Sequence, residues 1–249
     1  MTGKGLVVIT GASSGFGAAT ALRFAALGHP LCLGARRLPR LREVADQCRE
    51  AGAPAAEALP LDVRSKESIE SFCAAAGTPE ILLNNAGGAL GRDLVEKVKD
   101  DDLLGMVEAN LVGLVRVTRA FLPRMIAARR GHLINVGSYA AHGVYEGGGV
   151  YAATKHGVRV ISQTLRLELS GTNIRVTEID PGLAETEFSI VRLGDEEKAK
   201  AVYQGMKPLT AEDVADAIVW AATRPPHVNI SELVLTPTAQ ASLTKVHRE

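Results

Sequence analysis

Short apolar runs alternate with longer segments of helical periodicity along the whole chain. The apolar runs predict strands at 5–10, 31–35, 55–60, 81–85, 132–138, 174–180 and 232–236. The helical patterns cover about 15–28, 39–52, 66–76, 100–129, 149–170, 196–206 and 211–223. Continuously apolar strands that alternate with helices are typical of a parallel sheet covered on both faces, because right-handed crossovers place a helix over each strand pair. The pattern therefore predicts an α/β fold, with one doubly wound domain over 1–249.

Composition narrows the functions that this fold could serve. The 249 residues include 28 basic and 28 acidic side chains, so the formal net charge is zero and no general attraction to nucleic acid or to an anionic membrane is expected. No apolar run reaches the roughly 18 residues of a membrane span, and the chain begins without a signal-peptide pattern. Three cysteines, Cys32, Cys48 and Cys73, lack metal-ligand spacing, which favours reduced thiols. We expect a cytoplasmic protein without membrane or nucleic-acid partners.

A glycine-rich loop joins the first predicted strand to the first predicted helix, with the sequence TGASSGFG at 10–17. Glycines let the backbone approach a pyrophosphate, and the start of a helix favours an anion. A tight turn without a ligand is the alternative interpretation. The loop lacks the lysine of a P-loop, which argues against nucleotide hydrolysis. The predicted cofactor contacts here are Gly11, Ser13, Ser14, Gly15, Phe16 and Gly17.

The end of the second predicted strand indicates which dinucleotide binds. A site for NAD usually has an acidic residue there, whereas this chain has Arg36 and Arg37. Guanidinium groups form charge-assisted hydrogen bonds with a 2′-phosphate, so the predicted cofactor is NADP(H). The alternative is a pair of solvated arginines at a strand–helix junction. Asp62 and Val63, after the third strand, could receive the adenine, although Asp62 could equally be a turn or capping residue.

Polar and glycine residues also follow the fourth, fifth and sixth predicted strands. In an open parallel sheet, ligands collect beyond the carboxyl ends of the strands. The predicted cofactor contacts at these ends are Asn85, Ala86, Gly87, Pro181, Gly182, Leu183 and Thr186. Ser138 ends the fifth strand, and Tyr151 and Lys155 follow on the next helix. Because they lie four residues apart, their side chains share one helical face. For an isolated pair, packing at the surface would be the simpler interpretation.

The motifs TGASSGFG, NNAG, Asn110, Ser138, Tyr151-x-x-x-Lys155 and PGLAET occur in this order over the whole chain. The chain therefore resembles the short-chain dehydrogenase/reductase family from end to end. The resemblance implies a Rossmann domain whose seven strands have the order 3-2-1-4-5-6-7. It also implies a catalytic tetrad of Asn110, Ser138, Tyr151 and Lys155, NADP preference at Arg36 and Arg37, and a homotetramer in which the helices near 100–129 and 149–170 pair between subunits.

The chemistry of hydride transfer agrees with that tetrad. A carbonyl that accepts hydride develops negative charge on oxygen, so it needs a proton donor and a second hydrogen bond. Tyr151 would supply the proton in reduction and remove it in oxidation. Lys155 is expected to lower the pKa of Tyr151 and to bind the nicotinamide ribose, and the family resemblance places Tyr151 among the cofactor contacts as well. Ser138 would orient the carbonyl, and Asn110 could hold a water that connects Lys155 to solvent.

The segment 183–208 lies where this family carries its substrate lid, ahead of a short C-terminal tail. The stretches PGL…TEFSIVR, RPPHVNI and VHRE most resemble the subgroup that oxidises serine and other 3-hydroxy acids, such as 3-hydroxyisobutyrate, with NADP. A small carboxylate substrate would contact Ser138 and Tyr151 and would need a cation, for which Arg192 is predicted. Alternatively, Arg192 pairs with acidic side chains at 195–197.

Several further expectations concern the edges of the site. His142, Tyr145 and Glu146 lie in the loop between Ser138 and Tyr151 and could border the substrate pocket. The six histidines form no metal motif, so no metal is predicted. Two rival functions are a reductase for another carbonyl, such as a 3-oxoacyl compound, and a non-catalytic NADP-binding sensor. A complete Tyr–Lys–Ser set argues against the sensor, because a binding module needs no proton donor.

Overall fold

The centre of the fold is one sheet of seven parallel strands, and this computed structural model describes residues 4–249. The strands are β1 (Val7–Thr10), β2 (Leu31–Ala35), β3 (Ala56–Pro60), β4 (Ile81–Asn84), β5 (Gly131–Val136), β6 (Ile174–Pro181) and β7 (Glu232–Leu235). Their order in the sheet is β3-β2-β1-β4-β5-β6-β7, with parallel pairing throughout. The predicted α/β doubly wound fold and its strand order are confirmed.

Helices cover both faces of this sheet. They are α1 (Gly15–Ala26), α2 (Leu38–Glu50), α3 (Lys66–Ala76), α4 (Asp100–Val107), α5 (Gly113–Ala128), α6 (Gly149–Glu168), α7 (Glu187–Leu193), α8 (Glu196–Ala201) and α9 (Ala211–Ala222). The sequence did not predict α7 as a helix, and α8 ends five residues before the predicted 206. None of the helices in residues 4–249 has the length and apolar character needed to cross a membrane.

Alternate residues of the central strands face two separate apolar layers. On β1, Val7 and Ile9 pack into the layer formed with α1, α2 and α9, whereas Val8 packs into the layer formed with α3, α5 and α6. Every residue of β1, β2, β4 and β5 is buried, as expected for strands covered on both sides. Fully buried side chains such as Phe24 and Phe121 each contribute about 1.5–3 kcal/mol by leaving water. The two layers hold the carboxyl ends of the strands at one rim of the sheet.

The long helical region near 100–129 is interrupted by a wider turn. Between α4 and α5, residues Glu108–Val112 form a π-helix. At Gly113 a Cβ atom would lie 2.7 Å from the carbonyl oxygen of Val63. The helix therefore approaches the segment at Val63 too closely for any residue other than glycine. Such π turns often lie at functional sites, and here the turn contains Asn110. The sequence predicted the helical region but not this turn.

Candidate active site

A cavity of about 670 Å³ opens at the carboxyl ends of the strands. It brings together most of the residues that the sequence predicted for cofactor and substrate. The lining includes Gly11, Ser13, Ser14, Gly15, Phe16, Arg36, Arg37, Asp62, Val63, Asn85, Ala86, Gly87, Ser138, Tyr151, Pro181, Gly182, Leu183, Thr186 and Arg192. Three predicted residues, Gly17, Asn110 and Lys155, lie behind this lining instead of in it. The lining thus contains both the residues predicted to bind the phosphates and those predicted to carry the catalysis.

The glycine loop forms the floor of one half of the cavity. Gly11 and Gly15 have φ angles of +68° and +54°, which side chains other than glycine rarely adopt. At Gly17 a Cβ atom would lie 2.5 Å from the carbonyl oxygen of Gly11 and 2.6 Å from Nδ2 of Asn85. Gly17 therefore serves the close packing of α1 beneath the loop. The main chain of the loop lies at the start of α1 and lines the cavity, a position that suits the phosphates of a dinucleotide.

Asn85 fixes this loop to the sheet. Its Nδ2 donates to the carbonyl oxygens of Thr10 at 2.9 Å and of Gly11 at 3.1 Å. In return, the Thr10 hydroxyl accepts hydrogen bonds at 3.0 Å from the main-chain N–H groups of Asn85 and Ala86. The geometry gives Asn85 a supporting role in addition to its place in the cavity wall.

Arg37 extends across the glycine loop. Its guanidinium donates to the hydroxyl groups of Ser13, at 3.2 and 3.3 Å, and of Ser14, at 2.6 Å. It also pairs with Glu187 at 2.8 Å, and Arg40 pairs with the other oxygen of the same carboxylate at 2.6 Å. These two arginines hold the pKa of Glu187 down at about 2, with Arg40 the larger cause. The arrangement shows that this position attracts an anion. The sequence reasoning missed Arg40, although it lies one turn after Arg37 on α2.

Asp62 occupies the turn after β3 and is bound to Arg64. Its Oδ1 accepts from the main-chain N–H and the Nε of Arg64 at 3.0 and 3.2 Å, and its Oδ2 accepts from the guanidinium at 3.0 Å. Arg64 holds the pKa of Asp62 below its usual value through these hydrogen bonds. Of the two interpretations from sequence, the turn role is the one seen, although Asp62 and Val63 also line the cavity.

Tyr151 and Lys155 lie on the buried face of α6, with only 9% and 7% of their surface exposed. Nζ of Lys155 is 5.8 Å from the centre of the Tyr151 ring, so both groups point to the same volume. Tyr151 lines the cavity, whereas Lys155 lies behind it and donates to the carbonyl oxygen of Val136 at 2.9 Å. The alternative of a solvated surface pair is wrong, since both side chains are buried.

Burial dominates the electrostatics of Tyr151 and Lys155. Burial raises the pKa of Tyr151 to about 12, although the Ser138 hydroxyl and the Arg192 guanidinium oppose the rise. Burial also lowers the pKa of Lys155 to about 8, against the attraction of Asp180 and Glu178. The cost of burying the phenolate dominates the pKa of Tyr151 here, and the lowering of that pKa by Lys155 stays a prediction. Tyr151 keeps its proton near neutral pH.

The main chain of Ser138 is hydrogen-bonded to the buried carboxylate of Asp180. Its main-chain N–H donates to Oδ1 of Asp180 at 2.8 Å, and its hydroxyl accepts from the N–H of Ala140 at 3.1 Å. Nε2 of His142 lies 2.8 Å from the other oxygen of Asp180. The expectation that His142 borders the substrate pocket is thus wrong, because its ring turns toward Asp180. Glu146 is exposed and also lies outside the cavity lining, whereas Tyr145 does line it.

Further acidic groups lie next to Asp180. Glu178 is fully buried, and neither of its carboxylate oxygens accepts a hydrogen bond within residues 4–249. Burial, together with the neighbouring Asp180, raises the pKa of Glu178 to about 8. Glu232 lies 3.4 Å from His142 and pairs with Nε of Arg159 at 2.7 Å. His142, Asp180 and Glu232 have the donor types of a metal site, but Arg159 and the Ser138 N–H already occupy carboxylate oxygens there. Sequence spacing gave no sign of this cluster.

The π turn directs Asn110 into the protein. Its Nδ2 donates to the carbonyl oxygen of Gly88 at 2.8 Å and to the Thr154 hydroxyl at 3.1 Å, and its Oδ1 accepts from the Gly88 N–H at 2.7 Å. Asn110 thus ties the segment after β4 to α6, instead of being satisfied within its own helix. Both N–H donors of the amide are used in this way, and the role of Asn110 in a water relay stays a prediction.

Arg192, at the end of α7, reaches back over the catalytic half of the cavity. Its guanidinium donates to the carbonyl oxygens of Gly91 at 3.0 Å and Gly147 at 3.4 Å, and to the Tyr145 hydroxyl at 3.0 Å. The guanidinium carbon is 5.6 Å from the centre of the Tyr151 ring. The alternative pairing with acidic residues 195–197 is not found in the part of the chain that the structure describes; Asp195 and Glu197 pair with lysines instead.

A parallel sheet with a dinucleotide cradle at its rim and a buried tyrosine facing the cavity defines a nucleotide-dependent oxidoreductase. The chain belongs to the short chain dehydrogenase family, whose model matches residues 5–197. The resemblance seen in the sequence is confirmed.

Two relatives and one solved structure are similar over almost their whole length. The NADP-dependent 3-hydroxy acid dehydrogenase of Salmonella typhi is 43% identical, over 98% of this chain and 99% of that protein. The sulfoacetaldehyde reductase of Chromohalobacter salexigens is 44% identical, over 94% of each chain. The closed form of a serine dehydrogenase complexed with NADP⁺ aligns with a TM-score of 0.92 and 43% identity, and covers 98% of this chain and all of that one.

Proposed function

We propose that this protein is an NADP-dependent dehydrogenase that interconverts a small 3-hydroxy acid, such as serine or 3-hydroxyisobutyrate, with the corresponding oxo acid. One observation carries the choice of substrate. The Arg192 guanidinium lies 5.6 Å from the ring of the proton donor Tyr151, so a cation and an acid–base group face the same end of the cavity. A substrate carboxylate at Arg192 would bring a nearby carbinol to Tyr151. The relatives named for 3-hydroxy acids and serine support the same substrate class.

Each residue of the predicted tetrad has its own role in the proposed reaction. A bound NADP⁺ would supply the acceptor for the hydride of the carbinol carbon. Tyr151 takes the hydroxyl proton in oxidation and returns it in reduction, and Ser138 donates a hydrogen bond to the same oxygen. Lys155 supplies positive charge behind Tyr151, and Asn110 holds the Gly88 segment against α6. The cofactor itself would lie along the glycine loop, with Arg36 and Arg37 at its 2′-phosphate.

A second candidate substrate is a small sulfonated aldehyde. A relative of 44% identity is named as a sulfoacetaldehyde reductase, and a sulfonate carries the same negative charge as a carboxylate. Arg192 would recognise either anion, since a guanidinium binds planar and tetrahedral oxyanions. A reductase for a neutral or 3-oxoacyl carbonyl would make no use of this cation. A non-catalytic sensor would make no use of a tyrosine that faces the cavity.

The decisive experiment is a panel of substrates with the purified protein, both cofactors and both directions, followed by NADPH absorbance. We expect turnover of 3-hydroxy acids with NADP⁺, and a weaker or equal rate with sulfoacetaldehyde and NADPH. Turnover restricted to neutral ketones or 3-oxoacyl compounds would move the protein to the rival reductase class. Binding of NADPH without turnover of any compound would support the sensor.

Replacing Arg192 by Gln tests the carboxylate contact within that panel. A hydrogen bond to a charged group contributes about 1.5–3 kcal/mol, so KM for the 3-hydroxy acid should rise roughly tenfold or more. Reduction of a neutral ketone should change less than about threefold. Arg192→Lys is the matched control, because it keeps the charge and should recover part of the lost affinity for the acid alone. Equal losses with acid and ketone would leave Arg192 only the contacts to Gly91 and Tyr145.

We also propose that the protein is a homotetramer and that it is cytoplasmic. Each subunit would be a single domain, with residues 183–208, including α7 and α8, as its substrate lid. Large apolar side chains stay exposed on α4, α5 and α6, and on α6 they include Val160 at 58% and Leu167 at 80%. Exposed apolar surface of this kind supports subunit contacts. Light scattering should give four times the mass of one chain. Val160→Glu should reduce that mass, whereas Val144→Glu, in an exposed loop, should not; a monomeric wild type would contradict the proposal.

A further inference from the structure

Glu187 is the carboxylate that joins the substrate lid to the arginines of the cofactor site. It lies in the first turn of α7, where Thr186 caps the helix and accepts from the N–H of Phe188 at 3.2 Å. Arg37 binds one of its oxygens and Arg40 binds the other. At the far end of the same helix, Arg192 binds the loop segments at Gly91 and Gly147. The helix is therefore held at both ends, with the cavity beneath it.

Arg37 cannot serve two anions independently. Its guanidinium already spans Ser13, Ser14 and Glu187, and it uses Nε and both terminal nitrogens to do so. A 2′-phosphate that enters this position brings nearly two negative charges to within a few ångströms of the Glu187 carboxylate. Like charges at such distances repel, so a phosphate and the Glu187 carboxylate would compete for the same guanidinium.

We propose that Glu187 sets cofactor selectivity as an internal competitor, because its carboxylate occupies the arginine pair that receives the 2′-phosphate of NADP. NADP must displace it from Arg37, whereas NAD, which has a hydroxyl at that place, need not. Glu187 thus lowers the preference for NADP below what Arg37 alone would give. The inference rests on the proposed contact between Arg37 and the 2′-phosphate.

The plain alternative is a surface ion pair that only stabilises the fold. Arg37, Arg40 and Glu187 keep 46%, 47% and 36% of their side chains exposed, and exposed pairs contribute little to stability. The two roles predict different results. A structural pair would change the affinity for all nucleotides alike, whereas a competitor changes only the affinity for nucleotides that carry the 2′-phosphate.

Calorimetric titration of Glu187→Gln with 2′,5′-ADP and with 5′-ADP separates these roles without any turnover. We expect Kd for 2′,5′-ADP to fall about three- to tenfold, and Kd for 5′-ADP to stay within about twofold of wild type. The gain should shrink in high salt, where ion pairs are screened. Glu185→Gln is the matched control: it removes the same charge two residues earlier, at an exposed side chain, and should leave both constants unchanged.

Arg37→Met distinguishes failure of this inference from failure of the site assignment. If Arg37→Met weakens 2′,5′-ADP selectively but Glu187→Gln shifts both nucleotides equally, or weakens 2′,5′-ADP, the competitor role is wrong and the arginine assignment stands. If Arg37→Met leaves 2′,5′-ADP binding intact, the phosphate lies elsewhere and both statements are overturned. Thermal melting of each variant, in the presence and absence of nucleotide, verifies that the chain is folded.

Discussion

Replacing Tyr151 by Phe should lower kcat in both directions by roughly 10²- to 10⁴-fold while NADPH still binds with nearly the wild-type Kd. The phenol faces the cavity and is the acid–base group of the proposed mechanism, and a positioned proton donor contributes roughly 10²–10⁴ to the rate. Phe fills the same volume in the packed cluster with Ala152 and Phe188, so the fold should not change. Stopped-flow turnover and fluorescence titration of NADPH measure the two quantities.

Tyr145→Phe is the matched control for this substitution. It removes a hydroxyl from another tyrosine of the same cavity, one that accepts a hydrogen bond from Arg192 and faces no buried lysine. Its kcat should fall by less than about tenfold, with most of the change in KM. Comparable activity of Tyr151→Phe and wild type would remove Tyr151 from the chemistry, and similar losses in both variants would reduce its role to packing.

The raised pKa of Tyr151 predicts that oxidation and reduction depend differently on pH. Reduction requires the protonated phenol, which a pKa of about 12 keeps available throughout the neutral and mildly alkaline range. Oxidation requires the phenolate, whose fraction rises roughly tenfold for each pH unit below that pKa. We therefore expect kcat/KM for oxidation to climb steadily with pH, and that for reduction to stay nearly flat. A plateau for oxidation near neutral pH would instead restore the low pKa that the sequence reasoning assigned to Tyr151.

Most of the sheet could be predicted from the sequence because each central strand is a continuous apolar run between turn residues. A strand such as β2 is apolar at every position and lies between turn residues, and its observed bounds, Leu31–Ala35, match the predicted run. The glycine loop and the pair Tyr151 and Lys155 could also be predicted from the sequence, because helix periodicity and strand ends place them without knowledge of distant contacts.

The missing features depend on contacts between distant segments. The π turn at Glu108–Val112 exists where α5 approaches Val63, and no local pattern shows that approach. Glu187 meets Arg37 across 150 positions of sequence, so no local pattern pointed to this contact. The pKa of Tyr151 depends on how deeply the ring is buried, which spacing alone does not give. Sequence thus predicted where the groups converge, and the structure was needed to show what each group costs to bury.

Lys155→Met should lower kcat by about a hundredfold or more and also destabilise the protein. The ammonium is the buried cation behind Tyr151, and Lys155 also offsets the charges of Glu178 and Asp180. Because its own pKa is about 8, this charge is present below that pH and is lost as the pH rises through it. Any step in the wild-type rate profile near pH 8 should therefore disappear in the variant. Removal of one partner from buried charges typically costs about 3–5 kcal/mol, which thermal melting will detect.

The double variant Lys155→Met with Glu178→Gln separates the two effects of this lysine. Glu178 is fully buried without a hydrogen-bond donor among the described residues, and above its pKa of about 8 it carries a charge that no lysine offsets in the single variant, so the neutral amide should recover much of the melting temperature measured above pH 8. Activity should not recover, because the glutamine restores no cation behind Tyr151. Recovery of kcat together with stability would assign Lys155 a purely structural role, and the proton chemistry of Tyr151 would then have to proceed without a neighbouring positive charge.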